Sequence, residues 1–120
     1  MKILVVEDSK AMRMIVIRTL KQTGLGNFQT VEANNGAEAL AMIPDQKPDL
    51  VLSDWNMPEM KGIDLLKALR ASGNTTRFGF ITSESSPEVR KEAEDAGAAF
   101  LVTKPFTPNS FEAAISPVLA

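Results

Sequence analysis

Asp54 closes the apolar run Leu50-Val51-Leu52-Ser53 and is followed at once by Trp55-Asn56-Met57-Pro58-Glu59-Met60-Lys61-Gly62. A short apolar run ending in a Pro- and Gly-bearing turn reads as a buried parallel strand, and open α/β sheets gather their chemistry at the carboxyl ends of such strands. A lone loop carboxylate is most often merely solvated, but Asp54 has company. Glu7-Asp8 follows an earlier apolar run, Thr82 a later one and Lys104 the last. If those runs are neighbouring strands, three carboxylates meet in one place, and their joint ionisation is unfavourable without a cation between them. A small hard cation, Mg2+ above all, suits two carboxylates and a backbone carbonyl, and Asn56, two residues beyond Asp54, is placed to lend that carbonyl. Lys104 adds a positive charge on a flexible stem, and Thr82 a hydroxyl beside the amide of Ser83. Together these are the parts that hold a phosphoryl group in front of an attacking carboxylate. On this reading Asp54 is the nucleophile and becomes an aspartyl phosphate.

Each residue also has a plainer reading. Asp8 suits a helix cap, Lys104 a solvated surface lysine and Thr82 an ordinary strand end. Four plain readings at four separate strand ends are much harder to accept together. Trp55 reads as a partly exposed loop aromatic, and the methionines of the first helix as core filler.

The elements that must position these residues are legible in order. Lys2-Ile3-Leu4-Val5-Val6 is a strand, and Ser9 or Asp8 caps the helix that follows. Met12, Ile15, Val16, Thr19 and Leu20 recur at helical spacing until Gly24 and Gly26. Phe28 to Ala33 is a more polar strand closed by Asn34-Asn35-Gly36, and Ala37 to Ile43 is a short helix fenced off by Pro44 and Pro48. The third strand runs from Asp49 to Ser53. Ile63, Leu66, Leu69 and Arg70 mark a helix stopped by Ser72-Gly73-Asn74. Phe78 to Thr82 is a fourth strand, in which Gly79 points to close packing. Pro87 opens a helix whose face is thin, Val89, Ala93 and Ala96, closed by Gly97, and so modestly anchored and mobile. Ala99 to Thr103 is a fifth strand. Phe111, Ala114, Ile115, Val118 and Leu119 give the last helix, with Pro117 expected to kink or end it early. Five strands alternating with five helices specify an α/β, doubly wound parallel sheet covered on both faces, with all carboxyl ends along one edge.

Composition narrows the function classes. A chain of 120 residues is read as a single domain, 1–120. Thirteen Lys and Arg against fifteen Asp and Glu, net charge -2, recommend neither nucleic acid nor an anionic membrane. The chain has no Cys and no His, which excludes disulfides, thiolate chemistry and the commonest transition-metal ligand. The opening strand pattern has no signal-peptide character, so a cytoplasmic protein is expected, and a monomer.

Glu7-Asp8-Ser9, Ser53-Asp54-Trp55-Asn56-Met57-Pro58 with Gly62, Thr82-Ser83-Glu84 and Lys104-Pro105-Phe106-Thr107 together resemble the receiver domain of two-component response regulators, nearest its single-domain chemotaxis members. The likeness spans the whole chain. It implies a flavodoxin-like sheet in the order 2-1-3-4-5, a feature of the family and not of the spacing. It implies Mg2+ held by Glu7, Asp8, Asp54 and the main chain of Asn56, with Glu7 acting through water. Asp54 would take phosphate from a histidine kinase, Lys104 would bind the phosphoryl group, Thr82 would switch toward it, and the Lys104-Pro105 peptide would be cis. The receiver would catalyse only its own phosphorylation and dephosphorylation. The implied downstream partner is a protein target, the flagellar motor switch among the candidates; chemotaxis is expected from the resemblance and from the lack of an output domain, although single-domain receivers also serve phosphorelays. One position departs from the pattern. The aromatic usual three residues before the lysine is Leu101, and Phe100 faces the other side of the strand and does not replace it.

Three other functions compete. A metal-dependent phosphohydrolase of the haloacid dehalogenase type wants a second Asp where Asn56 stands, and Asn56 cannot shuttle a proton. A degenerate receiver acting only as a docking module would have lost Asp54, Asp8 or Lys104. A flavodoxin-like nucleotide binder wants a Gly-rich phosphate loop where Glu7-Asp8-Ser9-Lys10 puts negative charge.

Overall fold

A computed structural model describes residues 1–119. Among them the element order is β1 (Lys2–Val6), α1 (Lys10–Lys21), β2 (Gln29–Ala33), α2 (Gly36–Gln46), β3 (Leu50–Asp54), α3 (Gly62–Ala71), β4 (Arg77–Thr82), α4 (Pro87–Asp95), β5 (Phe100–Thr103) and α5 (Pro108–Leu119). All strand pairs are parallel and the order is β2-β1-β3-β4-β5, so the sheet is the doubly wound, flavodoxin-like one.

The alternation of side chains along each strand sorts the core into two layers. Leu4, Val6, Val51, Phe78 and Phe80 pack on one face against Ala39 and Ile43 of α2, Ile63, Leu65, Leu66 and Leu69 of α3, and Ala93 of α4. Ile3, Val5, Leu50, Leu52, Ile81 and Val102 pack on the other against Val16 and Leu20 of α1 and Phe111 and Ile115 of α5. β3 is buried along its whole length because it has a strand on each side and helices above and below. As the spacing predicts, α4 is thinly anchored: Ala93 is its one fully buried residue.

Local signals fix the helix starts. Ser9 accepts from the Met12 amide, Asn35 from the Glu38 amide and Ser86 from the Val89 amide, each satisfying a donor with no partner inside its helix. At α5, Thr107 and Ser110 exchange side-chain bonds with each other's amides.

Four expectations need correction. Pro44 does not fence off α2, which runs to Gln46 and ends at Lys47 in the left-handed region (φ 46°). Proline there removes only one late hydrogen bond, while Ala39 and Ile43 keep the helix on the sheet. Pro117 likewise lies within α5, two residues from its end, and does not end it early. The buried face of α1 keeps the predicted Val16 and Leu20 but takes in Arg13 instead of Ile15, which is 45% exposed, and Met14 is 52% exposed. The α1 methionines are therefore not core filler. Asp54 is the last residue of β3 and not the first of the loop.

Gly79 and Gly62 are needed for packing. A Cβ on Gly79 would lie 2.1 Å from the Phe100 ring, which therefore covers the bare backbone of β4. A Cβ on Gly62 would lie 2.2 Å from the main-chain oxygen of Asp54 itself. Backbone cannot yield to such a clash as a flexible side chain can, so Gly62→Ala is expected to destabilise the protein by about 2 kcal/mol or more, read as a lower urea midpoint. Gly73→Ala, at φ 84° but with nothing within 4 Å, should cost only the backbone strain and so less.

Candidate functional site

Asp54 and Thr82 end their strands, Glu7 and Lys104 lie one residue beyond theirs and Asp8 and Asn56 two, and three main-chain bonds extend the ladder there. The Glu7 amide donates to the Ala33 carbonyl at 3.2 Å, the Trp55 amide to Ile81 at 3.0 Å and the Lys104 amide to Thr82 at 2.8 Å. Glu7, Asp8 and Asp54 offer carboxylate oxygens that all lie within 4.8 Å of one another. Glu7 and Asp54 are buried and Asp8 is exposed, so the cluster is open on one side. Lys104 reaches Asp54 from the other side, its Nζ 3.4 Å from Oδ1. The Trp55 amide also donates to that oxygen, at 2.9 Å, so two donors fix the orientation of the Asp54 carboxylate.

Thr82 is buried at the end of β4; its hydroxyl oxygen accepts from the Glu84 amide at 3.0 Å, which leaves the hydroxyl proton free to donate elsewhere. Asn56 is exposed in the loop after β3. The Lys104-Pro105 peptide is cis.

Burial pushes the Glu7 carboxyl up to about 8, opposed by the Ser9 amide at 3.1 Å and reinforced by the neighbouring Asp54 and Asp8. The charged form of Glu7 is penalised chiefly by its removal from water, a penalty that a nearby cation would relieve. The donor set, three carboxylates whose oxygens lie within 4.8 Å of one another, is of the hard type that divalent cations such as Mg2+ prefer.

A five-stranded parallel sheet in this order, with an acidic triad and a lysine at its carboxyl edge, defines the receiver of a two-component system. The chain belongs to the response regulator receiver domain family, whose profile matches residues 3–116. Over 109 residues it is 44% identical to chemotaxis protein CheY-3 of Vibrio cholerae, which covers 89% of this chain and 82% of that protein. It is 41% identical to chemotaxis protein CheY of Pseudomonas aeruginosa over the same length, covering 89% of this chain and 86% of the relative. The structure is similar to that of Vibrio cholerae CheY4, with a TM-score of 0.86 at 34% identity, covering 98% of this chain and 97% of the other. The family makes the chain a signalling receiver paired with a histidine kinase, and not a conventional enzyme. No described helix is long and apolar enough to cross a membrane.

Two residues differ from expectation. Trp55 is 6% exposed, its ring packed edge-on against Phe80 with centroids 4.8 Å apart, because its amide continues the β3–β4 ladder and turns the ring into the core. Arg13, not singled out by the sequence, is buried and donates to the Glu7 carbonyl at 2.7 Å and to Glu32 Oε1 at 2.7 Å. Its signal was a cation in register with Val16 and Leu20.

The raised Glu7 value carries a sign. The Glu7 carboxyl, ordinarily near 4.5, is raised to about 8 in the folded chain, chiefly by burial. Its contribution to stability is therefore full below the lower value and lost as pH rises through the upper one. In EDTA, stability against urea should fall across that window by up to about 1.4 kcal/mol per pH unit, the slope for one proton. Glu7→Gln should flatten the fall.

Proposed function

We propose that residues 1–120 form one receiver unit in which Asp54 accepts a phosphoryl group from a histidine kinase in a Mg2+-dependent reaction. The observation that carries this reading is the Asp54 carboxylate itself, held between the acidic pair and the Lys104 ammonium 3.4 Å away. Glu7, Asp8, Asp54 and the Asn56 carbonyl are the ligands proposed for Mg2+, Glu7 through a water. The ion, when bound, neutralises negative charge on the phosphoryl oxygens.

The chain's own groups do the rest. An oxygen of Asp54 attacks the phosphorus as the bond to the donor's imidazole nitrogen breaks, giving an acyl phosphate and a free imidazole. Lys104 then follows the charge from the carboxylate to the new phosphoryl oxygens. Thr82 turns its unused hydroxyl proton to the same group. That displacement passes to the loop after β4 and to α4, which a single fully buried alanine holds. Leu101 shares a sheet face with Thr82, since it is opposite Phe80 and packs on the same core layer, whereas Phe100 packs on the other. The aromatic swing of related receivers has no ring here, so the readout falls mainly on residues 83–97. The named relatives are chemotaxis proteins and favour chemotaxis as the setting; the receiver proposed for it is cytoplasmic and monomeric, with a protein target such as the flagellar motor switch.

With acetyl phosphate and Mg2+, mass spectrometry should find one added phosphoryl group on the wild type and none on Asp54→Asn; labelling of that variant at another residue would overturn the assignment. Thr82→Ala should still be labelled but lose preference for a downstream partner. Amide shifts on adding beryllium fluoride, a phosphoryl mimic, should concentrate in residues 83–97, with Leu101 changing less. A large inward swing of Leu101 beside an unmoved loop would place the switch in β5 instead.

A further inference from the structure

We infer that Arg13 is a positioning residue for the cation side of the site, holding the Glu7 carbonyl so that Glu7 and Asp8 both present their carboxylates to Asp54. The inference rests on the proposed Mg2+ ligand set. The residue is unusual to begin with: a guanidinium 6% exposed, in a helix face otherwise made of Val16 and Leu20. Charged side chains are seldom buried without partners, and Arg13 has two. Its Nη1 donates to the Glu7 carbonyl and its Nε to Glu32 Oε1, each at 2.7 Å, the short range of charge-assisted bonds.

The geometry gives this contact its consequence. Glu7 is the first residue beyond β1, past the last pair Val6 and Ala33. Its amide is held by the Ala33 carbonyl at 3.2 Å, while its own carbonyl has left the ladder and is held by Arg13. That carbonyl lies in the peptide plane joining Glu7 to Asp8, and a peptide plane is rigid. Fixing its oxygen therefore fixes the direction in which the chain enters Asp8. One guanidinium orients two of the three clustered carboxylates without touching either.

Glu32 makes this compatible with a cation nearby. A bare guanidinium close to the cluster would repel a divalent ion, but the 2.7 Å pair to Glu32 offsets its charge. The planar fork also holds its two acceptors in a fixed relation, which a lysine ammonium cannot reproduce. Groups that orient metal ligands from outside commonly affect metal affinity by about 10- to 100-fold when changed.

Mg2+ is titrated against Trp55 fluorescence at a temperature where far-UV circular dichroism shows every variant folded, with wild type, Arg13→Lys, Glu32→Gln and Asp8→Ala in parallel. Arg13→Lys should bind Mg2+ about tenfold more weakly. Its labelling by acetyl phosphate should return to the wild-type rate at saturating Mg2+, because the nucleophile is intact. A merely structural arginine would lower the melting temperature and leave the Mg2+ dissociation constant unchanged; that result overturns the inference while leaving the function standing. Should Arg13→Lys not fold, Glu32→Gln decides: a smaller loss of affinity in the same direction supports the assignment, and an unchanged value overturns it. If Asp8→Ala titrates like the wild type, the cation site itself is wrong and the inference falls with it.

Discussion

Mutual repulsion among Glu7, Asp8 and Asp54 is the constraint from which most of this architecture follows. Oxygens within 4.8 Å of one another cannot all carry full charge in a partly buried place, so something must compensate. Within the chain the compensation is distributed: burial raises the Glu7 carboxyl to about 8, Lys104 Nζ lies 3.4 Å from Asp54, and the Trp55 and Ser9 amides donate to the carboxylates. A bound divalent ion would gather that compensation in one place. The arrangement is thus poised, since the same groups that tolerate the bare cluster give way when stronger positive charge arrives.

Holding like charges together needs a rigid frame, and the parallel sheet supplies one. The carboxyl ends of β1, β3 and β5 are each extended by one main-chain bond, so the chain is held to the sheet where it carries Glu7, Asp54 and Lys104. Gly62 lets the chain after the acceptor fold back against the Asp54 carbonyl, where any side chain would collide. α4 is the contrast, with a weak apolar face that suits the response proposed for it. Firmness at β3 and slackness at α4 are both written in apolar content: β3 is buried throughout, whereas α4 buries a single alanine fully.

Most of this was legible from the chain alone. The apolar runs leading to Glu7, Asp54, Thr82 and Lys104 located the strand ends, because strands that are buried over much of their length show it in their composition. The order of the strands was not legible from spacing and entered only through family resemblance. The prolines misled because proline rules describe helix interiors, and both Pro44 and Pro117 lie in last turns, where tertiary packing outweighs one missing bond. Arg13 and Trp55 escaped for a related reason. A residue's burial depends on partners distant in sequence: Glu32 and a main-chain carbonyl for one, Phe80 for the other. Apolar periodicity carries no information about those partners.

Phe100 resting on the bare backbone of Gly79 ties two distant positions into one unit of shape. Neither side chain can be chosen independently: a methyl group at 79 needs a smaller neighbour at 100, and a smaller residue at 100 opens a hole unless position 79 fills it. Across related chains these two positions should therefore vary as a pair, large with absent or moderate with small. The pairing also restricts where the family can keep a ring on β5. An aromatic committed to covering a glycine on the α1–α5 face is unavailable to the face that carries Thr82, and a lineage that moved its ring from position 101 to position 100 would have exchanged a moving part for a fixed one.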